Sequence, residues 1–384
     1  MTIFNFHTPK KIIYGQGSVL ATGAQAKAYG KKALIVTGRS STKKSGALDA
    51  LVQSLSESQV ESVIFDQVES DPSVITVEKG AALCHEIQPD MIIGIGGGSP
   101  LDAAKVINLL YKNGGRVDEY LQEKAITPLL PFLAIPTTAG TGSEVTKFSV
   151  ITDTETKIKM VIPGVYMIPD IAILDPEITV TMPPDVTAAT ALDALTHAIE
   201  AYTSKLKQPL SDGFALSAIS KISQSLLSAV REPENLEARE QLLIGQMEAG
   251  LAFSNASVGL VHSMSRPLGA HFGVPHGLAN ALLLPHVMSY NLDHAIERYA
   301  EVAEALGKKT EGMTSEQAAK EAVNHVENLF LHTGLPVCLK DIGIKEDKIP
   351  VMAKDALESG STNNNPKMPS LDDIIAIYNK AMEL

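Results

Sequence analysis

Two cysteines, Cys84 and Cys338, are all that 384 residues contain, which excludes a disulfide framework and fits a reducing compartment. Lysine and arginine number 32 against 44 acids, for a net charge of -12, and no basic run occurs. A phosphate-backbone footprint is therefore missing, and nucleic acid is not an expected partner. Uninterrupted apolar runs stop well short of membrane-spanning length, and residues 1–11 lack the apolar core of a signal peptide. A cytoplasmic protein without membrane contact is expected. What remains is ordinary: 45% hydrophobic residues, ample for a core, on a length that suits two domains.

The first half alternates compact apolar runs with amphipathic stretches. Strands are expected at 33–37, 61–65, 91–95 and 131–135, with helices at 45–55, 74–87 and 101–111 between the first three pairs. Such alternation implies crossovers and a mostly parallel sheet. Residues 147–152, 159–162 and 171–174 read as further short strands, a hairpin and a closing strand. At Met182-Pro183-Pro184-Asp185 the texture changes. Helical periodicity then dominates at 185–203, 212–230, 235–253, 277–290, 295–306, 315–332 and 371–382, while 359–369 reads as a turn-rich surface loop. The expected fold is α/β plus all-α: an N-terminal parallel-sheet domain at 1–182 and a helical domain at 183–384.

Three loops after expected strands carry binding chemistry. Gly96-Gly97-Gly98-Ser99-Pro100 leaves backbone N–H groups open to an anion, and the helix that follows adds its positive end. Counted from Gly94 it departs from G-x-G-x-x-G, because Ser99 takes the last glycine position. Pro136-Thr137-Thr138-Ala139-Gly140-Thr141-Gly142-Ser143-Glu144 is dense in hydroxyls suited to a nucleotide. Gly38-Arg39-Ser40-Ser41-Thr42-Lys43-Lys44 has cations and hydroxyls where an NAD site would want a carboxylate. That favours NADP(H) over NAD, with Gly38, Arg39 and Ser40 as the contacts; a solvated loop with ordinary lysines is the plain alternative.

Three of the ten histidines, His262, His271 and His276, crowd into one stretch with Arg266. Asp193 and His197, four apart in an expected helix, share a face and can point at one ion. Together with His262 and His276 they would make an Asp/His₃ set suited to Fe²⁺ or Zn²⁺. Pro267 and Pro275 argue against a single helix from His262 to His276; His262 is expected to end one helix and His276 to open the next.

Over essentially its whole length the chain resembles the iron-containing (group III) alcohol dehydrogenases. The resemblance rests on Gly96-Gly97-Gly98-Ser99 with Asp102 and Lys105, on 136–144, on Pro169-Asp170 and Leu174-Asp175-Pro176. It continues through 193–197 with Glu200-Ala201-Tyr202, and through 262–276 to Asn280 and Pro285-His286. It implies a nucleotide-binding domain and a helical metal-binding domain of the dehydroquinate synthase-like architecture. Asp193, His197, His262 and His276 would hold the metal, Gly96 to Ser99 the pyrophosphate, and Thr137, Thr138 and Thr141 the nucleotide. Lys159 falls near the nicotinamide ribose, and Asp102 on the nicotinamide side as a candidate catalytic group. The implied activity is metal-dependent, NAD(P)-linked hydride transfer to or from a small alcohol or aldehyde, by a homodimer or larger homo-oligomer. A glycerol-dehydrogenase- or dehydroquinate-synthase-like enzyme is the alternative.

One departure stands out. Many members of that family carry a further histidine four residues after the one matched by His262, and here the position is Arg266. Arginine stays protonated and cannot relay a proton. Either His271 or solvent through the cofactor's ribose takes over the relay, or no relay is essential; Arg266 either holds an anionic group of cofactor or substrate or sits in a structural salt bridge. Phe148, Met160, Phe253 and Leu260 are candidate apolar lining of the pocket, with a plain core role as the equal alternative.

Overall fold

The computed structural model describes residues 3–122, 126–155 and 158–383. They separate into two compact units, one of residues 7–181 and one of residues 182 onward together with the first six.

The first unit runs β1 (Lys11–Tyr14), α1 (Thr22–Lys27), β2 (Lys32–Gly38), α2 (Ser41–Lys44), α3 (Ala47–Glu57), β3 (Glu61–Val68), α4 (Val74–Ile87), β4 (Met91–Gly96) and α5 (Gly98–Asn113). It continues with β5 (Phe132–Pro136), β6 (Phe148–Asp153), β7 (Ile158–Pro163) and β8 (Ile171–Leu174). Six strands form a parallel sheet in the order β1-β8-β5-β4-β2-β3, while β6 and β7 pair as a separate antiparallel hairpin. Side chains alternate across the sheet, so each strand feeds two cores. Leu34, Val36 and Ile92 pack on one face; Ala33, Ile35, Met91 and Ile93 pack on the other. Burial on both faces is why these strands read as continuous apolar runs.

The second unit runs α6 (Pro184–Thr203), α7 (Pro209–Arg231), α8 (Leu236–Ala256), α9 (Leu260–Phe272), α10 (His276–Asn291), α11 (Ile296–Ala305), α12 (Ser315–Leu331), α13 (Ile349–Glu358) and α14 (Leu371–Ala381). Pro184 sits in the first turn of α6, where its missing N–H costs nothing, and Asp185 faces the positive helix end. No helix among the described residues is long and apolar enough to cross a membrane.

Three expectations are corrected. His262 is the third residue of α9, not its end, and α9 runs through Pro267 to Phe272. A proline inside a helix costs about 3 kcal/mol, and here the buried face formed by Leu260, Val261, Met264 and Leu268 outweighs it. The stretch 359–369 is not simply a surface loop. It contains a 3₁₀ turn at Gly360–Asn364, and Thr362 and Asn365 are buried, the latter exchanging amide hydrogen bonds with Asn291. Met160 belongs to the core of the sheet unit and Leu260 to that of the helical unit, so neither lines an open pocket.

Candidate active site

In the sheet unit the strand order reverses direction between β2 and β4: the chain leaves β2 for β3 on one side and β4 for β5 on the other. The carboxyl ends flanking such a switch point form a crevice where ligands bind in open α/β sheets. Gly38 ends β2 there, and Gly96 ends β4. Thr137 donates its backbone N–H to the Gly96 carbonyl at 2.9 Å, which ties the hydroxyl loop to the glycine loop. A side chain on Gly98 would place its Cβ 2.8 Å from the Thr141 methyl, so only glycine lets the two loops close up. The N-terminus of α5, capped by no side chain at Gly97, directs its backbone donors into the same place. Gly96, Gly97, Gly98, Ser99, Thr137, Thr138 and Thr141 are thus gathered at one end of the sheet.

Asp102 is used up structurally. Its carboxylate accepts from Ser143 Oγ at 2.6 Å and from the Val150 N–H at 2.8 Å, fastening the hydroxyl loop and β6 to α5. One turn on, Lys105 donates to the Thr146 and Phe148 carbonyls at 3.0 and 2.8 Å. Burial holds its ammonium down to about 8, against the pull of Asp102 and Glu144. Asp102 therefore positions the loop, with each carboxylate oxygen already holding one donor.

The cationic loop also gains something its own residues lack. Asp66, at the far end of β3, pairs with Lys43, whose hydrogen bond holds that carboxyl below its ordinary range. Arg39 reaches the Gln67 carbonyl from Nε at 3.4 Å. Lys159 on β7 is paired with Asp71 at 2.7 Å. The positive set near Gly38 and Ser40 is thereby reduced to Arg39 and Lys44.

The helical unit collects Asp193 and His197 from α6, His262 from α9 and His276 from α10, with one donor atom of each within 4.8 Å of all the others. The Nε2 atoms of His197, His262 and His276 stand 4.0, 3.8 and 3.7 Å from Asp193 Oδ1. Those separations are too long for hydrogen bonds, and they exceed by about 0.3 to 0.6 Å the roughly 3.4 Å spacing that bonds of about 2.1 Å to a tetrahedral ion produce. One anionic oxygen and three imidazoles therefore fit a divalent metal. Asp193, His197 and His262 are buried, whereas the His276 side chain is 44% exposed, so the set has one open side.

Neighbours fix these rings. Glu200, one turn beyond His197 on α6, takes His262 Nδ1 at 2.6 Å and accepts the Val261 N–H at 2.6 Å. It thus serves as the N-terminal cap that α9 lacks, and it sets the tautomer that turns the His262 Nε2 lone pair toward Asp193. Burial pushes Glu200 up to about 7 against the backbone donors, while burial, then His197 and Arg266, hold His262 well down. Asn280 on α10 donates to Asp193 Oδ1 at 2.6 Å. Phe253 stacks on His197 at 4.2 Å between ring centroids, so of the candidate lining residues it is the one beside the ligands. A Cβ on Gly277 would meet the Ala189 carbonyl of α6 at 2.4 Å; this close approach is what brings His276 to Asp193.

His271 is not part of the cluster. It follows His262 by nine residues, about 13 Å along α9 and half a turn around it, and its Nε2 pairs with Asp355 at 2.7 Å. The relay expected of it has no geometry. Arg266, one turn from His262, is half-buried; its Nη1 donates to Ser359 Oγ at 2.9 Å and Ser361 Oγ at 3.2 Å. No carboxylate pairs with it among the described residues, so the structural salt bridge is not there. Glu200, Asn280, Ser359 and Ser361 went unassigned from sequence. Glu200 and Asn280 left usable signals, Glu200 lying seven and three residues after Asp193 and His197 on one helix face and Asn280 four after His276 on the next.

Known proteins match this arrangement throughout. The profile described as iron-containing alcohol dehydrogenase covers residues 9–176, and that of the C-terminal part of the Fe-containing alcohol dehydrogenase family covers 187–382. The 1,3-propanediol dehydrogenase of Klebsiella pneumoniae is 40% identical over 382 residues, 99% of each chain. The NADPH-dependent butanol dehydrogenase of Clostridium saccharobutylicum is 40% identical over 385 residues, 98% of this chain and 97% of that one. The crystal structure of a 1,3-propanediol oxidoreductase superposes with a TM-score of 0.97 at 40% identity, covering 99% of this chain and all of that one. The chain belongs to the iron-containing alcohol dehydrogenase family. It is a metal-dependent, NAD(P)-linked enzyme that interconverts small alcohols and aldehydes by hydride transfer.

Proposed function

We propose that Asp193, His197, His262 and His276 hold one Fe²⁺, with Zn²⁺ able to take the same donors, and that the enzyme reduces a small aldehyde with NADPH. The observation that carries this is the ring of three Nε2 atoms around Asp193 Oδ1 with His262 locked by Glu200. When bound, the ion would serve as a Lewis acid toward the aldehyde or alcohol oxygen. The chain's own residues do the rest. Phe253 stacks on His197, and Asp193, His197 and His262 are buried, so the exposed edge at His276 is the side left for substrate.

On the nucleotide side, the Gly96 to Ser99 backbone and the α5 N-terminus would take the pyrophosphate, with Thr137, Thr138 and Thr141 donating hydroxyls. Lys159 would lie toward the nicotinamide ribose, Asp102 serving only to hold the loop. Gly38, Arg39 and Ser40 would meet the adenosine 2′ position, where Arg39 attracts a phosphate and no carboxylate of the loop repels it. The test is a panel of NADH and NADPH against butanal on protein reconstituted separately with Fe²⁺ and Zn²⁺. Higher kcat/KM with NADPH supports the reading; equal or higher efficiency with NADH removes the NADP(H) assignment.

A further inference from the structure

Drawing a guanidinium out of water costs free energy that a counter-charge normally offsets. The acid that acts on Arg266, Glu200, is already engaged. Glu200 has one oxygen on the Val261 N–H and the other on His262 Nδ1, while Asp193 is engaged by Asn280 and faces the three imidazoles. Among the described residues Arg266 hydrogen-bonds the Ser359 and Ser361 hydroxyls, both through a single nitrogen, Nη1. Both serines are partly exposed, and each accepts from the arginine while keeping its own O–H to donate. A guanidinium fork with open N–H groups and two hydroxyl donors around it is the donor set that carboxylate, sulfonate and phosphonate oxygens require.

Position then says which anion. Arg266 lies on the same face of α9 as His262 and one turn away, about 6 Å along the helix axis. We propose that Arg266, Ser359 and Ser361 form a receptor for an anionic end group of the substrate, so that the preferred substrates are short aldehydes carrying an acid about three or four carbons from end to end. This rests on the reading of Asp193, His197, His262 and His276 as the centre at which the aldehyde oxygen sits. The other source of such an anion is the cofactor's phosphate. The substrate is favoured because the receptor is built one turn from a ligand histidine, within the helical unit.

The experiment compares 4-oxobutanoate with butanal, equal in carbon count and differing in the acid, and adds calorimetry of 4-hydroxybutanoate binding to metal-free protein. Wild type should prefer 4-oxobutanoate and bind 4-hydroxybutanoate saturably. Arg266→Ala should lower kcat/KM for the acid by about a hundredfold, leave butanal within a few-fold and abolish the calorimetric signal. Arg266→Lys should recover part of the acid preference through charge alone, and Ser359→Ala with Ser361→Ala should weaken it with little change in melting temperature. Equal losses on both aldehydes in Arg266→Ala, or no binding of 4-hydroxybutanoate to wild type, overturn the proposal. So does a loss that follows NADPH affinity while the aldehyde ratio stays fixed. The calorimetric arm contains no metal, so failure of the metal assignment would leave it intact and remain distinguishable.

Discussion

The metal centre and the nucleotide loops solve opposite problems. The first is made of side chains on regular helices: Asp193 and His197 sit one turn apart on α6, and His262 and His276 stand near the starts of α9 and α10. The second is made of backbone, where the absence of a side chain at Gly98 and the uncapped start of α5 provide the binding surface. In the first, side-chain identity at four positions dominates, and the backbone contributes chiefly the close approach at Gly277. In the second, the backbone path is everything, and the side chains mainly hold one loop against another, as Asp102 does with Ser143 and Val150.

That contrast predicts different failures. His262→Ala should eliminate metal binding and turnover, measured by elemental analysis and NADPH oxidation, while circular dichroism stays native. Full activity with a full metal complement would break the contrast at its strongest point. Glu200→Gln keeps the shape but weakens the hold on His262, and should lower metal affinity about 10–100-fold, read by competition with a chelator. Gly277→Ala attacks the same site through the backbone. Overpacking against the Ala189 carbonyl should cost about 1–3 kcal/mol in chemical denaturation and loosen metal binding, because His276 is displaced from Asp193. Gly98→Ala should instead leave the metal untouched and raise the KM for NADPH about tenfold, roughly 1.4 kcal/mol. The smallest effect is expected at the cationic loop. Arg39→Ala should reduce the NADPH-to-NADH preference by no more than about fivefold, since an exposed charge contributes under about 1 kcal/mol.

The same contrast explains what could be read from the amino-acid sequence. Helix spacing is local, so Asp193 and His197 announced a shared face, and α4 and β4 were legible from burial patterns alone. The glycine loop was legible because strand, glycines and helix follow one another without interruption. What stayed hidden depends on contacts between distant segments. Asp66 neutralises Lys43 from the end of another strand, Ser359 and Ser361 reach Arg266 from beyond α13, and Asp355 claims His271. Pro267 misled because a helix-breaking residue was weighed without the packing that keeps α9 intact. Spacing and histidine density suggested the ligand set and the resemblance to a family supported it as a whole; the structure supplied the reason that Glu200 and Asn280 belong with it.

The most direct test of the central claim replaces the metal with Co²⁺ and records X-ray absorption with and without alcohol in the presence of NADP⁺. Three imidazole shells and one carboxylate oxygen at about 2.0–2.2 Å are expected, with a further light atom entering when alcohol is added. Fewer than three imidazoles, or a spectrum indifferent to alcohol, would contradict that claim.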